Sequence, residues 1–157
     1  LSDGRTIILF ERHKFYGYMK AKFGEKKADE LKRKYPDICN DARGGYLGYA
    51  AEYKRLEKAM RIDEDSAYLS TSFGLFQIMG FNFKAAGYTN VKTYVEDMAV
   101  SEKNHLKAVL NFIRSHKTLS TAIIRKDFKQ IAISYNGPAN ATNDYVNKLT
   151  KADERNA

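Results

Sequence analysis

The chain has 157 residues, the length of about one domain, and 43% of them are apolar. A chain of this size and composition can bury a core without metals or disulfides, which excludes an intrinsically disordered protein. Its 27 basic and 19 acidic residues give a net charge of +8 that is spread along the chain. Such a surface favours polyanions, namely nucleic acid, an anionic membrane or an acidic cell envelope, without choosing among them.

The only cysteine, Cys39, excludes an intramolecular disulfide and a cysteine-based metal site. We expect it to be a small buried residue, since the histidines lie far from it in sequence. No apolar run reaches the roughly 18 residues of a membrane-spanning helix, and the first residues do not form a signal peptide. We therefore expect no membrane span and no export signal in this chain. Leu1 is not a start residue, so a module before it is compatible with the sequence.

Hydrophobic periodicity predicts helices along most of the first half of the chain. Asp3 or Thr6 can cap a first helix that runs to Phe15. A second, exposed helix is expected over residues 24–34 and a third over 48–61, separated by a loop at 40–45. Four residues of the first helix share one inward face at helical spacing: Ile7, Ile8, Glu11 and Phe15.

The second half of the chain also reads as helical. One of the acidic residues at 63–65 can start a short helix. Later helices are expected over 91–98, 101–113, 119–124, 127–136 and 143–152. Asp127 is expected to cap the 127–136 helix, and the 101–113 helix has an apolar stripe of Leu106, Val109, Leu110 and Ile113. No repeat and no Pro/Gly-rich linker divides the chain. The sequence therefore predicts one mostly helical domain over residues 1–157, with a small hairpin between Phe15 and Tyr49.

Glu11 is the first candidate for chemistry. A carboxyl group on an apolar helix face is disfavoured as an anion and can therefore keep a proton near neutral pH. Such a group suits a general acid, which protonates the oxygen of a glycosidic bond as that bond breaks. The alternative is an ion pair with Arg12, Lys14 or a more distant arginine.

The segment Thr71–Gly80 is the second candidate, because it places Ser72, Gly74 and Gln77 within an apolar run. A buried polar group without a partner costs about 1–3 kcal/mol, and a binding or catalytic site would supply partners. The alternative is a short buried helix or strand that begins at Ser72 and ends at Gly80. A third polar segment, Ser134–Pro138, is by itself a helix stop.

Taken together, these features resemble the lysozyme superfamily, especially goose-type lysozymes and soluble lytic transglycosylases. A closer resemblance, to the N-acetylmuramidase domain of phage endolysins and bacterial cell-wall hydrolases, covers nearly the whole chain. Its motifs occur in order at Leu9–Phe15, Tyr35–Ile38, Gly44–Tyr46, Glu52–Leu56, Ser72–Asn82 and Tyr135–Pro138.

The resemblance implies a lysozyme-like fold and a muramidase that cleaves the β-1,4 bond between N-acetylmuramic acid and N-acetylglucosamine. It makes Glu11 the general acid, and it places five residues at the sugar cleft: Ser72, Gln77, Asn82, Tyr135 and Asn136. Family members often carry tryptophan at the position of Phe73. The stretch between Glu11 and Ser72 is also longer than in goose-type enzymes, so we expect an insertion containing Gly44 and Gly45 to fold back near the cleft.

A hydrolase of this kind uses a second carboxylate, for which Glu52 is the first candidate and Asp63 the next. Each has an ordinary alternative, since Glu52 can pair with Arg55 or Lys58 and Asp63 can cap a helix. A lytic transglycosylase needs no second carboxylate, because a hydroxyl of the sugar itself attacks and gives a 1,6-anhydro product.

The partners that we expect are the glycan strands of peptidoglycan, met by a monomer without cofactor, metal or membrane insertion. The resemblance implies action at the cell wall or periplasm, reached from the cytoplasm through a holin or another route. A rival from another class is a non-catalytic basic module that binds cell wall or nucleic acid. The scattered basic residues favour the enzyme over this rival.

Overall fold

The computed structural model describes residues 1, 3–48, 50–137 and 144–156. The chain forms two compact units, Leu1–Asn111 and Phe112–Ala157. Both are built mainly of helices, as the sequence predicts, and the first also contains a small antiparallel sheet. That residues 1–157 act as one domain stays a prediction.

The first unit contains both helices and short strands. They are β1 (Ile8–Phe10), α1 (Arg12–Phe23), α2 (Glu25–Lys34), α3 (Ala51–Met60), α4 (Glu64–Leu69), β2 (Thr71–Phe73), β3 (Ile78–Met79), a 3-10 turn (Gly80–Asn82), α5 (Val91–Met98) and the start of α6 (Glu102–Ser115). The second unit continues from the end of α6 with α7 (Lys117–Ile124), α8 (Phe128–Asn136) and α9 (Tyr145–Arg155).

The helix predicted from Ile7 was wrong at its beginning. Residues Ile8–Phe10 form β1, and the helix α1 begins only at Arg12, with Glu11 as its N-cap residue. A short run of apolar residues suits a buried strand as well as a helix, and here the pairing with β2 decides. In this antiparallel pair Leu9 lies opposite Ser72 and Phe10 lies opposite Thr71.

The hairpin predicted between Phe15 and Tyr49 was also misplaced. The described residues of that segment form helices and loops, whereas the hairpin joins β2 to β3. Its turn contains two residues at positive φ, Gly74 at 78° and Gln77 at 49°. The polar residues in the Thr71–Gly80 segment therefore shape a tight turn, which periodicity alone does not reveal.

Helix α6 buries a face different from the predicted one. Leu106 and Leu110 are exposed, while its buried residues are His105, Ala108, Val109 and Phe112. The prediction used aliphatic residues alone, of which Val109 is buried. It left out His105, whose ring makes two hydrogen bonds and can therefore be buried.

The predictions for Asp63 and Asp127 as helix caps and for Cys39 as a buried residue are confirmed. Asp63 caps α4 and Asp127 caps α8, each by accepting a hydrogen bond from a backbone N–H in the first turn. Cys39 is fully buried, and burial raises the pKa of its thiol to about 11. Within the described residues, no helix combines the length and apolar character needed to cross a membrane.

His105 fixes the turn between β2 and β3. Its Nε2 lies 2.7 Å from the carbonyl oxygen of Met98, which leaves Nδ1 to accept a hydrogen bond from the N–H of Leu75 at 3.3 Å. The imidazole lies directly against Gly74, where an added Cβ would come within 2.9 Å of the ring. Both the positive φ and this close approach therefore require glycine at position 74.

We expect Gly74→Ala to lower the free energy of unfolding by about 2 kcal/mol, because alanine strains the left-handed backbone and meets the His105 ring. The matched control is Gly17→Ala in α1, where φ is not positive and the space is open. That variant should be more stable than the parent by about 0.5–1 kcal/mol, because glycine weakens a helix interior. Urea denaturation compares them, and equal effects would contradict the role of His105.

Candidate active site

Glu11 lies at the junction between β1 and α1. Its backbone N–H donates to the carbonyl of Ser70 at 2.8 Å, which extends the pairing of β1 with the segment leading into β2. Its carbonyl accepts hydrogen bonds from the N–H groups of Lys14 and Phe15, in the first turn of α1. The side chain is 17% exposed, so solvent reaches it only in part. The sheet and the helix thus fix the backbone of Glu11 from both sides.

The carboxylate of Glu11 has two polar neighbours. The hydroxyl of Tyr46 is 2.9 Å from each carboxylate oxygen and donates a hydrogen bond to them. The Nδ1 atom of His13 lies 3.1 Å from Oε2 of Glu11, but the geometry is not that of a hydrogen bond. Both ring nitrogens of His13 are buried and have no hydrogen-bond partner among the described residues. Glu11 therefore sits in a polar pocket, and the apolar helix face that the sequence predicted for it is wrong.

His13 is uncharged at neutral pH. Burial lowers the pKa of its imidazole below the ordinary 6.5, and the nearby cations Arg43 and Lys14 add to this effect against the opposing charge of Glu11. Glu11 and His13 therefore form no ion pair near neutral pH. A neutral imidazole therefore places no positive charge beside the carboxyl group of Glu11.

Tyr46 reaches Glu11 from the loop between α2 and α3, which Arg12 anchors on one side. The Arg12 guanidinium donates to three carbonyl oxygens of this segment, those of Pro36, Ala42 and Arg43, at 3.0–3.1 Å. The segment that contains Gly44 and Gly45 therefore folds back against Arg12 and Glu11. That it lies near a sugar cleft stays a prediction. The alternative in which Arg12 pairs with Glu11 does not hold, because Arg12 binds the loop instead.

Glu52 anchors the other side of the same loop. Its carboxylate accepts hydrogen bonds from the N–H groups of Leu47 at 2.6 Å and Gly48 at 3.1 Å, directly after Tyr46. It also accepts one from the N–H of Phe10 at 3.0 Å, directly before Glu11. Glu52 is 0% exposed, so one buried carboxylate links the strand that carries Glu11 to the loop that carries Tyr46.

The charge of Glu52 is balanced by Arg55, one turn later in α3. The guanidinium lies 2.8 Å from the carboxylate, donates to the carbonyl of Phe10 and makes two hydrogen bonds to the carbonyl of Asp37. Burial disfavours the charged form of Glu52, but the N–H donors of Leu47, Phe10 and Gly48 together with Arg55 outweigh it, and the pKa of Glu52 is lowered. This is the ion pair with Arg55 that the sequence left open as an alternative.

Ser72 and Gln77 bind one another across the hairpin. The Ser72 hydroxyl donates to Gln77 Oε1 at 2.7 Å, and Gln77 Nε2 donates to the carbonyls of Gly74 and Ile7. The described residues give neither side chain a hydrogen bond to Glu11. Ser72 belongs to β2, which pairs with the β1 strand that leads into Glu11, and Gln77 lies in the turn after β2. Their polar groups therefore hold the hairpin together.

The other predicted site residues lie elsewhere in the chain. Asp63 caps α4 and also pairs with Lys22, and these hydrogen bonds lower the pKa of Asp63 against the effect of its partial burial. Asn82 ends the 3-10 turn after β3 and is partly buried.

The predicted residues Tyr135 and Asn136 belong to the second unit. There the Tyr135 ring packs edge-on against Phe112 at 5.8 Å, and burial raises its pKa to about 12. Asn136 is the last residue of α8, and its side chain lies outside the described part of the chain.

A sequence profile described as N-acetylmuramidase matches residues 1–157. The chain belongs to the N-acetylmuramidase family. It is also similar to the crystal structure of Burkholderia AP3 phage endolysin, with 44% sequence identity and a TM-score of 0.87. That match covers 99% of this chain and 58% of the endolysin chain, so the muramidase chain spans a little over half of its length. No curated protein matches the chain.

The family resemblance inferred from the motifs is therefore confirmed, and so is the lysozyme-like fold. Within the described residues of the muramidase, no group of three or more His, Cys, Asp or Glu side chains is arranged to hold a metal ion.

Sequence reasoning missed three residues of the candidate site: Arg12, His13 and Tyr46. All three stand in motifs that carry the family resemblance, but only Glu11 was given a role there. The available signal was that two motifs distant in sequence, Glu11–Arg12–His13 and Gly44–Gly45–Tyr46, each contain polar groups able to meet. Only the structure shows that they do.

We expect Glu52→Gln to lower the free energy of unfolding by about 3–5 kcal/mol, because it leaves the Arg55 charge buried without its partner. Glu57→Gln, on the exposed face of the same helix, is the control and should change stability by less than about 0.5 kcal/mol. Denaturant unfolding at neutral pH measures both. A Glu52→Gln variant with the same stability as the parent would contradict the anchoring role of Glu52.

The difference in the free energy of unfolding between the parent and Glu52→Gln should depend on pH. Because the folded pKa of Glu52 lies below its ordinary value of 4.5, the stabilisation is complete above that pH. It is lost as the pH falls through the lower, folded pKa. The stabilities of the parent and Glu52→Gln should therefore converge in acid, which unfolding curves at decreasing pH will test.

Proposed function

We propose that this N-acetylmuramidase domain cleaves the β-1,4 bond between N-acetylmuramic acid and N-acetylglucosamine, with Glu11 as the general acid. The observation that carries the proposal is the position of Glu11, partly exposed at the junction of β1 and α1 beside an uncharged His13. The motifs and the family support it. A carboxyl group that solvent reaches in part can donate a proton to a glycosidic oxygen bound beside it.

In the proposed reaction Glu11 donates its proton to the oxygen that leaves the scissile bond. The new O–H bond forms as the bond between that oxygen and the anomeric carbon breaks, and positive charge develops on the sugar ring. Glu11 becomes a carboxylate in the same step. In the first unit, Ser72, Gln77 and Asn82 are proposed to contact the sugar. The family resemblance alone gives Tyr135 and Asn136 of the second unit a proposed role in sugar binding.

The second carboxylate is the open part of this mechanism. Glu52 has no exposed surface and four donors on its two oxygens, so no face of it is free to hold an attacking water. Asp63 is engaged by the first turn of α4 and by Lys22. We therefore propose that Glu52 positions the site and does not activate water. This observation favours a second candidate, a lytic transglycosylase, because that reaction needs no second carboxylate.

The proposed substrate agrees with the charge of the chain. Peptidoglycan stem peptides carry carboxylates, and a net charge of +8 raises the encounter rate with an anionic wall at low salt. In this proposal the domain acts as a monomer on glycan strands at the cell wall or periplasm, which it reaches through a holin or another route, and nucleic acid is not its partner.

We expect Glu11→Gln to clear purified peptidoglycan at least about 100-fold more slowly than the parent, because glutamine keeps the shape and loses the acidic proton. Turbidity measures the rate, and circular dichroism checks that the fold is intact. Glu96→Gln, an exposed residue of α5, should leave the rate unchanged. An unchanged rate for a folded Glu11→Gln would remove Glu11 from the mechanism.

We expect Asp63→Asn to retain the clearing rate within about threefold, since asparagine can also cap a helix. A folded Asp63→Asn that loses about 100-fold would instead identify Asp63 as the second carboxylate. Mass spectrometry of the released muropeptides distinguishes the two reactions, because hydrolysis adds one water to the product and transglycosylation gives a 1,6-anhydro sugar. Anhydro products would show that the domain is a lytic transglycosylase and not a hydrolase.

A further inference from the structure

We propose that Tyr46 is a positioning residue. Its hydroxyl orients the Glu11 carboxyl group and stabilises the carboxylate that forms when Glu11 gives up its proton. The inference rests on the proposed role of Glu11 as general acid. It adds a residue from a separate loop, to which neither the sequence nor the family comparison assigned a task.

The geometry of the contact suits a carboxyl group that changes charge. The Tyr46 hydroxyl is equally distant, at 2.9 Å, from both oxygens of Glu11. Its single proton can hydrogen-bond one oxygen while the other carries the acidic proton. When that proton passes to the leaving oxygen, the same hydrogen bond becomes charge-assisted, which makes it about twice as strong.

The loop that carries Tyr46 is held from both sides by opposite charges. Arg12 binds carbonyl oxygens before Tyr46, and Glu52 binds N–H groups after it. Gly45 lies directly against the Arg12 guanidinium, because an added Cβ there would lie 2.8 Å from Arg12 Nη1. Since Glu52 also binds the N–H of Phe10, a single carboxylate sets the position of both partners in the Tyr46–Glu11 contact.

Tyr46 remains a donor throughout the working pH range. Burial and the hydrogen bond to Glu11 raise the pKa of its phenol to about 12. The other titratable or charged groups that face the contact are His13 and Lys14 of α1 and Arg43 of the loop. His13 is neutral above its lowered pKa. The alkaline limb of the pH–rate profile therefore reports on Glu11 and its hydrogen bond to Tyr46.

The test is Tyr46→Phe, assayed on soluble uncrosslinked glycan strands. The ring is 45% exposed, so losing its hydroxyl should leave the fold intact. We expect kcat to fall about 10- to 100-fold, with a smaller change in KM. We also expect the alkaline limb to move up by about one pH unit, because the carboxylate has lost a donor and holds its proton more firmly.

Tyr16→Phe is the matched control. The Tyr16 hydroxyl donates to the Asp29 carboxylate at 2.8 Å, so this variant also loses a bond between a phenol and a carboxylate, without touching Glu11. Its kcat and pH profile should equal those of the parent. Gly45→Ala is an independent second variant, which keeps the phenol but displaces the loop, and should change kcat and the alkaline limb in the same directions as Tyr46→Phe.

Each outcome separates this inference from the proposed function. An active Glu11→Gln would overturn the general acid and the Tyr46 inference together. An inactive Glu11→Gln with an unchanged Tyr46→Phe would overturn the Tyr46 inference alone. A raised KM for Tyr46→Phe with an unmoved alkaline limb would also overturn it, since Tyr46 would then only contact the sugar.

Discussion

The candidate site depends on the buried ion pair between Glu52 and Arg55. Neither side chain is more than 2% exposed, and burying each charge costs several kcal/mol before any compensation. Compensation comes from backbone groups: three N–H donors bind Glu52, while carbonyl oxygens of Phe10 and Asp37 accept from Arg55. The pair therefore joins β1, the Tyr46 loop and α3 through their backbones, so a side-chain change in the loop need not break this connection.

The same ion pair supplies hydrogen-bond partners to backbone groups at the edge of the sheet. β1 pairs with β2 on one side only, so the N–H and the carbonyl of Phe10 face away from the sheet and need other partners. Glu52 accepts from that N–H and Arg55 donates to that carbonyl, in place of a further strand. Glu11 follows directly after Phe10. Its position beside the hairpin is therefore set by the ion pair on one side and by β2 on the other.

The surroundings of Glu11 are polar, and this changes the physical account of its proposed chemistry. A carboxyl group among apolar side chains would keep its proton because its charge is poorly solvated. Here the hydroxyl of Tyr46 and the uncharged imidazole of His13 are its neighbours. The proposed acid thus depends on a donor held in place by a loop, and on a histidine that burial keeps neutral. The proposed function of this domain depends on those two contacts and on the anchors that hold them.

The sequence by itself determined the mostly helical class, the capping of helices by Asp63 and Asp127, and membership in the N-acetylmuramidase family. These features depend on residues within a few positions of one another, or on motifs in a fixed order. It could not determine that β1 is a strand, because its partner β2 lies about 60 positions later. Nor could it bring Tyr46 to Glu11, since side chains separated by 35 positions meet only when the intervening loop is anchored. The tertiary structure decided these contacts, because burial and backbone pairing act between segments that no local pattern connects.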